Sequence, residues 1–154
     1  MTLTSAGSAW TLTDHNDTVE TYTVAGSKGT LNKIVTRNGY TQTLNYSGGQ
    51  LQSVSDSYGR SLNLTYAGGL LQTLATPDGL TFTYGFTPVT GGNVLTSVGY
   101  STMPATNITY QYQNPSFPFA LTGLLDENGH QFSSWAYDTS GRRVSSQQGA
   151  SART

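Results

Sequence analysis

The feature that most constrains the fold is a passage of sequence that recurs along the chain. Residues 51–66 are preceded by a similar passage, 31–46, and followed by another, 71–86, at a spacing of twenty residues. Self-similarity at a fixed period indicates an array of one small structural unit stacked on its neighbours. The repeat therefore has to be interpreted before any single residue.

Further copies extend the array over the chain as one domain, residues 1–154. Five full units begin near Leu31, Leu51, Leu71, Leu95 and Leu121. A degenerate unit begins near Ala9, and a partial unit follows Tyr137. Four copies have glycine eight residues after their start, at Gly39, Gly59, Gly79 and Gly129. The Leu95 copy has Met103 at that place, yet it keeps Ile108 and Tyr110 at the later offsets.

Alternation of apolar and polar residues predicts two β-strands in each unit. Leu62, Leu64 and Tyr66 alternate with serine, asparagine and threonine, which is the period of a strand with two unlike faces. Glycine-containing turns follow both strands, as in antiparallel hairpins. We predict an all-β fold, a continuous antiparallel hairpin ribbon that forms a curved open sheet or partial shell. Its wall positions would be Leu31, Leu44, Tyr46, Leu51, Leu64, Tyr66, Leu71, Tyr84, Ile108, Tyr110, Leu121, Trp135 and Tyr137.

Three irregularities interrupt the period. Residues 87–94 and 111–120 lengthen two connections, and insertions of this kind normally form loops. At 132–137 the alternating apolar positions slip by one residue, which predicts a β-bulge. The second insertion has no repeat role, so a specific contact is expected there, with the sheet or with another chain, from Pro115, Phe117 and Phe119.

Composition excludes several classes of function. Seven Lys and Arg residues balance eight Asp and Glu residues, and they are scattered without the basic cluster that a nucleic-acid partner would need. The chain has no cysteine, so it can form neither disulfides nor thiolate metal sites. No apolar run is long enough to span a membrane, and the first residues do not resemble a signal peptide.

The residues that could carry chemistry have a simpler structural interpretation. Asp56, Asp126 and Asp138 each precede a glycine by three residues, where Asp accepts hydrogen bonds from the turn backbone. His15 and His130 lack a second ligand at metal-binding spacing. No Gly-x-Ser-x-Gly motif is present. We therefore predict no catalytic residue, no metal site and no cofactor, and that the chain is not an enzyme.

Two motifs resemble the YD-repeat, or Rhs-repeat, family. Tyr137-Asp138-Thr-Ser-Gly141-Arg142 is similar to the family's signature, and residues 51–60 resemble the repeat in fuller form, with Asp56, Gly59 and Arg60 at its turn positions. The chain departs from the pattern after Tyr46 and Tyr66, which no Asp follows.

The resemblance implies a structural function. Family members wind a β-ribbon into a hollow shell, and in bacterial toxins that shell encloses a C-terminal toxic domain. The implied partners are the rest of the shell and its cargo domain, and the implied location is bacterial, exported or at the cell surface, as part of a larger protein. The family's self-cleavage motif is missing from this sequence, so autoproteolysis is not implied.

A second hypothesis from the residues is a module that binds carbohydrate or a cell-surface partner. Trp10, Tyr58 and Trp135 are aromatic residues of the kind that stack on sugars, although packing within the repeat explains Trp135 more simply. An isolated ribbon would also leave two unpaired edges and an apolar face. We therefore expect the chain either to curl on itself or to pair with a second copy.

Overall fold

The computed structural model describes residues 1–149 as a sheet of fourteen strands, with no helix in that range. The strand order follows the sequence order, so each strand lies beside the strands that precede and follow it. The predicted all-β fold is confirmed. The strands are β1 Thr2–Ala6, β2 Ala9–Thr13, β3 Val19–Ala25, β4 Lys28–Val35, β5 Thr41–Ser47, β6 Gln50–Asp56, β7 Ser61–Ala67, β8 Leu70–Ala75, β9 Thr81–Val89, β10 Gly92–Tyr100, β11 Thr106–Gln111, β12 Gly123–Leu125, β13 Gln131–Tyr137 and β14 Arg143–Gln148.

The backbone packs as two compact units. The first unit contains residues 1–65 together with 75–79. The second contains residues 66–74 together with the described residues from Leu80 onward. Each unit consists of hairpins between strands that are consecutive in sequence, so its contacts are local.

Turns of two lengths alternate along the first unit. Two-residue turns join β1 to β2, β3 to β4 and β5 to β6. In the last of these, Gly48 and Gly49 have φ of 57° and 79°, which matches the type I′ geometry that suits the twist of a hairpin. Longer turns, such as residues 56–60 between β6 and β7, lie at the other end of the strands.

The strand register separates apolar from polar side chains. In the first unit, Leu44 faces Val54 and Val54 faces Leu62, so these three residues lie on one face. The neighbouring row on the opposite face contains Thr43, Ser55 and Ser61. In the second unit Tyr84 faces Val98, which faces Ile108. The two unlike faces predicted from the alternation are present in both units.

A β-bulge recurs at one place in the repeat. Tyr46 faces Leu51 whereas Asn45 faces Ser53, which leaves Gln52 as the extra residue. The same irregularity occurs beside Leu31 and Leu95, at Asn32 and Thr96. A bulge lets two apolar residues three positions apart share a face, because it shifts the alternation by one.

The bulge predicted in residues 132–137 is also present. Leu124 faces Ser133 and Leu125 faces Gln131, so Phe132 is the extra residue. A further irregularity lies between β13 and β14, where Ala136 faces Ser145 and Tyr137 faces Arg143. Bulges in this part of the chain therefore fall on the second strand of a repeat and on the last strand.

Very little of the chain is buried. In the described residues, Val94 at 6% exposure is the sole buried apolar side chain, and Ser133 at 8% is the sole buried polar one. The other apolar side chains of the sheet are half-buried or exposed. The same residues contain no helix long and apolar enough to cross a membrane. Each unit is thus a single layer of strands without a covered core.

Candidate functional site

The turn at residues 56–60 is organised by the Asp56 carboxylate. Its Oδ1 atom accepts hydrogen bonds from the backbone N–H of Tyr58 at 2.9 Å and of Arg60 at 3.0 Å. The Asp56 carbonyl accepts a third from Gly59 at 3.1 Å, and the Asp56 N–H donates to the Arg60 carbonyl at 2.9 Å. Asp at the first position therefore satisfies most of the turn backbone, as predicted.

Arg60 closes this turn through its side chain. Its Nε donates to Asp56 Oδ2 at 2.7 Å, and a terminal guanidinium nitrogen lies 2.6 Å from the same oxygen. The Asp56 side chain is 9% exposed, whereas that of Arg60 is 60% exposed. Desolvation raises the pKa of Asp56, but the hydrogen bonds from the side chain and backbone of Arg60 outweigh it and hold this pKa below its usual value.

The YD signature forms the same turn between β13 and β14. Asp138 Oδ1 accepts from Ser140 N–H and Arg142 N–H, each at 2.9 Å, and Arg142 Nε donates to Oδ2 at 2.9 Å. The Arg142 backbone bond is the main cause of a lowered pKa at Asp138. Residues 1–149 thus contain two copies of one Asp-to-Arg clamp, at the two positions where the sequence most resembles the YD repeat.

Two other long turns, at residues 126–130 and 14–18, are variants of this clamp. Asp126 accepts from Asn128 N–H at 2.9 Å and His130 N–H at 2.8 Å, with His130 Nδ1 3.8 Å from Oδ2. Asp14 makes the equivalent bonds at residues 14–18, with Asp17 in the glycine position at φ 61°. The sequence pattern predicted the repeat unit near Ala9 but not the role of Asp14, because Asp17 stands where the other copies have glycine. The signal that could have found it is an Asp at the first turn position.

Apart from the Asp and Arg residues of the clamps, the predicted repeat positions fall into two groups in the structure. The apolar and aromatic positions lie on strands or beside them and are half-buried, except that Tyr46 is 37% exposed. The glycine positions have positive φ in the long turns: Gly39, Gly59, Gly79, Gly129 and Gly141.

Adjacent repeats are linked by a contact that the sequence did not reveal. Ser57 N–H donates to the Thr41 carbonyl at 2.9 Å, and Thr41 N–H donates back to Ser57 Oγ at 3.3 Å. Ser101 and Thr81 make the same pair of bonds in the second unit, at 3.0 Å and 2.7 Å. The serine after one strand therefore ties its turn to the start of the earlier strand beside it.

An open groove of about 750 Å³ lies beside these turns in the first unit. Its aromatic side is formed by Tyr40 and Tyr58, whose rings are stacked with centroids 5.7 Å apart. Tyr58 is 73% exposed, and the Arg60 guanidinium carbon lies 5.6 Å from its ring centroid. The remaining lining residues are polar: Asn16, Thr18, Thr36, Arg37 and Asn38.

Trp10 lies in a different setting, an apolar hollow of about 510 Å³ at the start of the first unit. Its neighbours there include Leu12 and Tyr22, and its own exposure is 36%. Trp135 is half-buried on β13. Of the three aromatic residues considered for sugar stacking, Tyr58 is therefore the one set among polar groups.

The second insertion folds back on the chain. A Cβ built on Gly141 would lie 3.0 Å from Phe117, and one built on Gly92 would lie 3.4 Å from Phe119. Phe117 thus covers the Asp138 turn, and Phe119 covers the turn between β9 and β10. Pro115 and Phe119 remain exposed, the latter at 54%.

The described residues contain no group of three or more His, Asp or Glu side chains placed to hold a metal ion. His15 and His130 lie in separate long turns, and both are exposed. Comparison with protein-family models finds none that matches the chain, and a search of curated proteins finds no similar sequence. The likeness to YD repeats therefore rests on the motifs of the chain itself.

Proposed function

We propose that this chain is a wall segment of a YD-repeat (Rhs-type) shell that encloses a cargo domain and performs no catalysis of its own. The observation that carries the proposal is the uncovered apolar face of each unit. A soluble chain seldom leaves a contiguous apolar face open unless something else covers it. In a shell wall, the interior contents and the neighbouring wall supply that cover.

The register of the first unit supports a wall rather than a flat sheet. Leu44 faces Val54, and Val54 faces Leu62 on the next strand. The residue equivalent to Leu44 in the next repeat, however, is Leu64. These two repeats are therefore displaced by two residues along the strand, and Leu64 lies outside the row of Leu44. In the second unit, by contrast, Tyr84 faces Val98, which faces the equivalent residue Ile108, so no displacement occurs there. A stagger between neighbouring strands is one requirement for a sheet to close around an interior.

The Asp-to-Arg clamps fit the same function. They hold the turns through backbone and side-chain bonds that occupy the carboxylates of Asp56 and Asp138. Under this proposal the partners are the flanking wall and the cargo, and the location is that of an exported or surface-displayed bacterial protein.

The test places a photo-crosslinking amino acid at two adjacent positions of the intact gene product. Leu64 is half-buried on the apolar face, and Asn63 is exposed on the polar face of the same strand. Crosslinks from position 64 to a cargo or wall segment, with none from position 63, are the expected result. Equal crosslinking from both positions, or none from position 64, would overturn the proposal.

The groove beside Tyr58 favours a second candidate function, carbohydrate binding. An exposed ring flanked by Asn38 and Arg37 offers stacking and hydrogen bonding together. A glycan array separates the two functions, because a wall segment shows no saturable binding. Binding that is lost in Tyr58→Ala and kept in Tyr46→Ala would support the second candidate, since Tyr46 is an exposed tyrosine outside the lining of this groove.

A further inference from the structure

The last strand leaves a regular, uncovered edge. All six residues of β14 are exposed, and no strand lies beyond it in the described part of the chain. Gly149 N–H donates to the Phe132 carbonyl at 2.6 Å, so this residue points its backbone toward β13. Because backbone groups alternate along an antiparallel strand, Gln147 also points inward, whereas Ser146 and Gln148 direct their N–H and C=O groups outward.

This edge lacks the features that prevent strand pairing. Edges are usually protected by lysine, proline or a bulge in the middle of the strand. From Ser145 to Gln148 the strand has no charge and no proline, and its irregularity lies at the other end, between residues 143 and 145. The regular part is therefore free to accept another strand.

We propose that β14 is a self-association surface, on which the β14 strand of a second copy pairs antiparallel about a twofold axis. A twofold axis perpendicular to the sheet places identical strands antiparallel and keeps both apolar faces on one side. With the axis at Ser146, the outward N–H and C=O groups of Ser146 in one copy face those of Ser146 in the other copy. The two Arg143 side chains then lie six residues apart along the strand, about 20 Å, so like charges do not meet.

The first strand provides the matched control. The Ser8 carbonyl accepts from Val24 N–H at 2.7 Å, so Ser8 and Trp10 point toward β3. Ser5 faces Trp10 and therefore directs its own backbone groups to the outer edge of β1. Proline at Ser146 or at Ser5 thus removes an outward N–H from one edge each, without removing a hydrogen bond of the sheet.

The experiment is sedimentation equilibrium of the full chain from about 10 μM to about 1 mM, which spans the Kd of a weak interface. Wild type and Ser5→Pro are expected to rise toward twice the 16.4 kDa monomer mass, while Ser146→Pro stays at the monomer mass with an unchanged circular dichroism spectrum. Ser146→Lys is expected to weaken pairing up to about fivefold at low salt, and pairing should recover at high salt, because two lysines would face each other.

A wild-type chain that remains monomeric throughout, or a dimer lost in Ser5→Pro and kept in Ser146→Pro, would overturn this inference. So would loss of β structure in Ser146→Pro combined with undiminished pairing in Ser146→Lys. The inference rests on the geometry of the β14 edge and is independent of the shell. A monomer would leave the proposed wall function standing, and failed crosslinking at Leu64 would leave the dimer standing.

Discussion

At the scale of single residues, the glycine of the long turns has the least freedom to change. Gly59 has φ of 78° and open space where a Cβ would be, whereas Gly141 has φ of 76° and Phe117 3.0 Å from that point. Gly59→Ala should lower the free energy of unfolding by about 1–2 kcal/mol, the cost of the left-handed conformation for a residue with a Cβ. Gly141→Ala should cost more, since Phe117 must also move. Urea denaturation of both variants measures the difference.

Asparagine is the control for the conformational part of this effect, because it tolerates positive φ better than alanine does. Gly59→Asn is expected to lose less stability than Gly59→Ala. Equal losses of stability in Gly59→Ala and Gly59→Asn would show that φ is not the cause. Equal losses in Gly59→Ala and Gly141→Ala would show that the Phe117 contact does not add to the cost.

The two clamped carboxylates predict a dependence of stability on acid. Asp56 and Asp138 have pKa values held below the usual 3.8 in the folded protein. Their contribution is therefore fully present above pH 3.8 and is lost as the pH falls through the lower folded pKa. Melting temperatures between pH 7 and pH 2 should fall less steeply in Asp56→Asn than in wild type. An identical slope would mean that the clamp at Asp56 does not favour the ionised form.

At the scale of strands, the recurrent bulge keeps the apolar residues of the first strand of a unit on one face. Leu51 and Val54 are three residues apart, and they share the apolar face because Gln52 is the extra residue between them. Deleting Gln52 removes the bulge and leaves Leu51 and Val54 two positions apart, so both should stay on the apolar face and stability should change little. Inserting an alanine after Gln52 should put them on opposite faces and lower the free energy of unfolding by about 2 kcal/mol or more, given the apolar surface that leaves the row. Similar losses for the insertion and the deletion would contradict this account.

The bulge in the first strand of the unit was not predicted from the sequence, although other features of the unit were. The alternation in Leu62, Leu64 and Tyr66 predicted the second strand of the unit and its faces, and the slip before Trp135 predicted the bulge at Phe132. The spacing from Leu51 to Val54 contains the same information, but a short apolar pair three apart is also compatible with other local structures. Register beyond one strand depends on the bulge and the turn together, so the two-residue displacement between the repeats of Leu44 and Leu64 could not be predicted from the sequence.

The candidate site was predictable to a different degree. An Asp three residues before glycine indicated the clamps at Asp56, Asp126 and Asp138, because that bond is local. The bonds between Ser57 and Thr41 and the stacking of Tyr58 on Tyr40 join residues of different repeats. Such contacts depend on the stagger, and sequence periodicity alone does not define it.

At the scale of the whole molecule, stability comes from neighbouring strands instead of a common core. Each strand is bonded only to the strands next to it in sequence, and Val94 is the one buried apolar side chain of the described residues. Arrays of this kind behave approximately as a sum of repeat stabilities and nearest-neighbour terms. A destabilising substitution should therefore affect mainly the strands next to it.

Hydrogen exchange of Gly59→Ala tests this directly. The strained turn joins β6 to β7, so amides of these two strands should exchange faster than in wild type, and the effect should decline toward β2 and β3. Amides of β11, β12 and β13 in the second unit should keep their wild-type rates, because these strands pair with one another, with β10 and with β14. A uniform acceleration across all strands would show that the sheet unfolds as one cooperative block, and the nearest-neighbour picture would then be wrong.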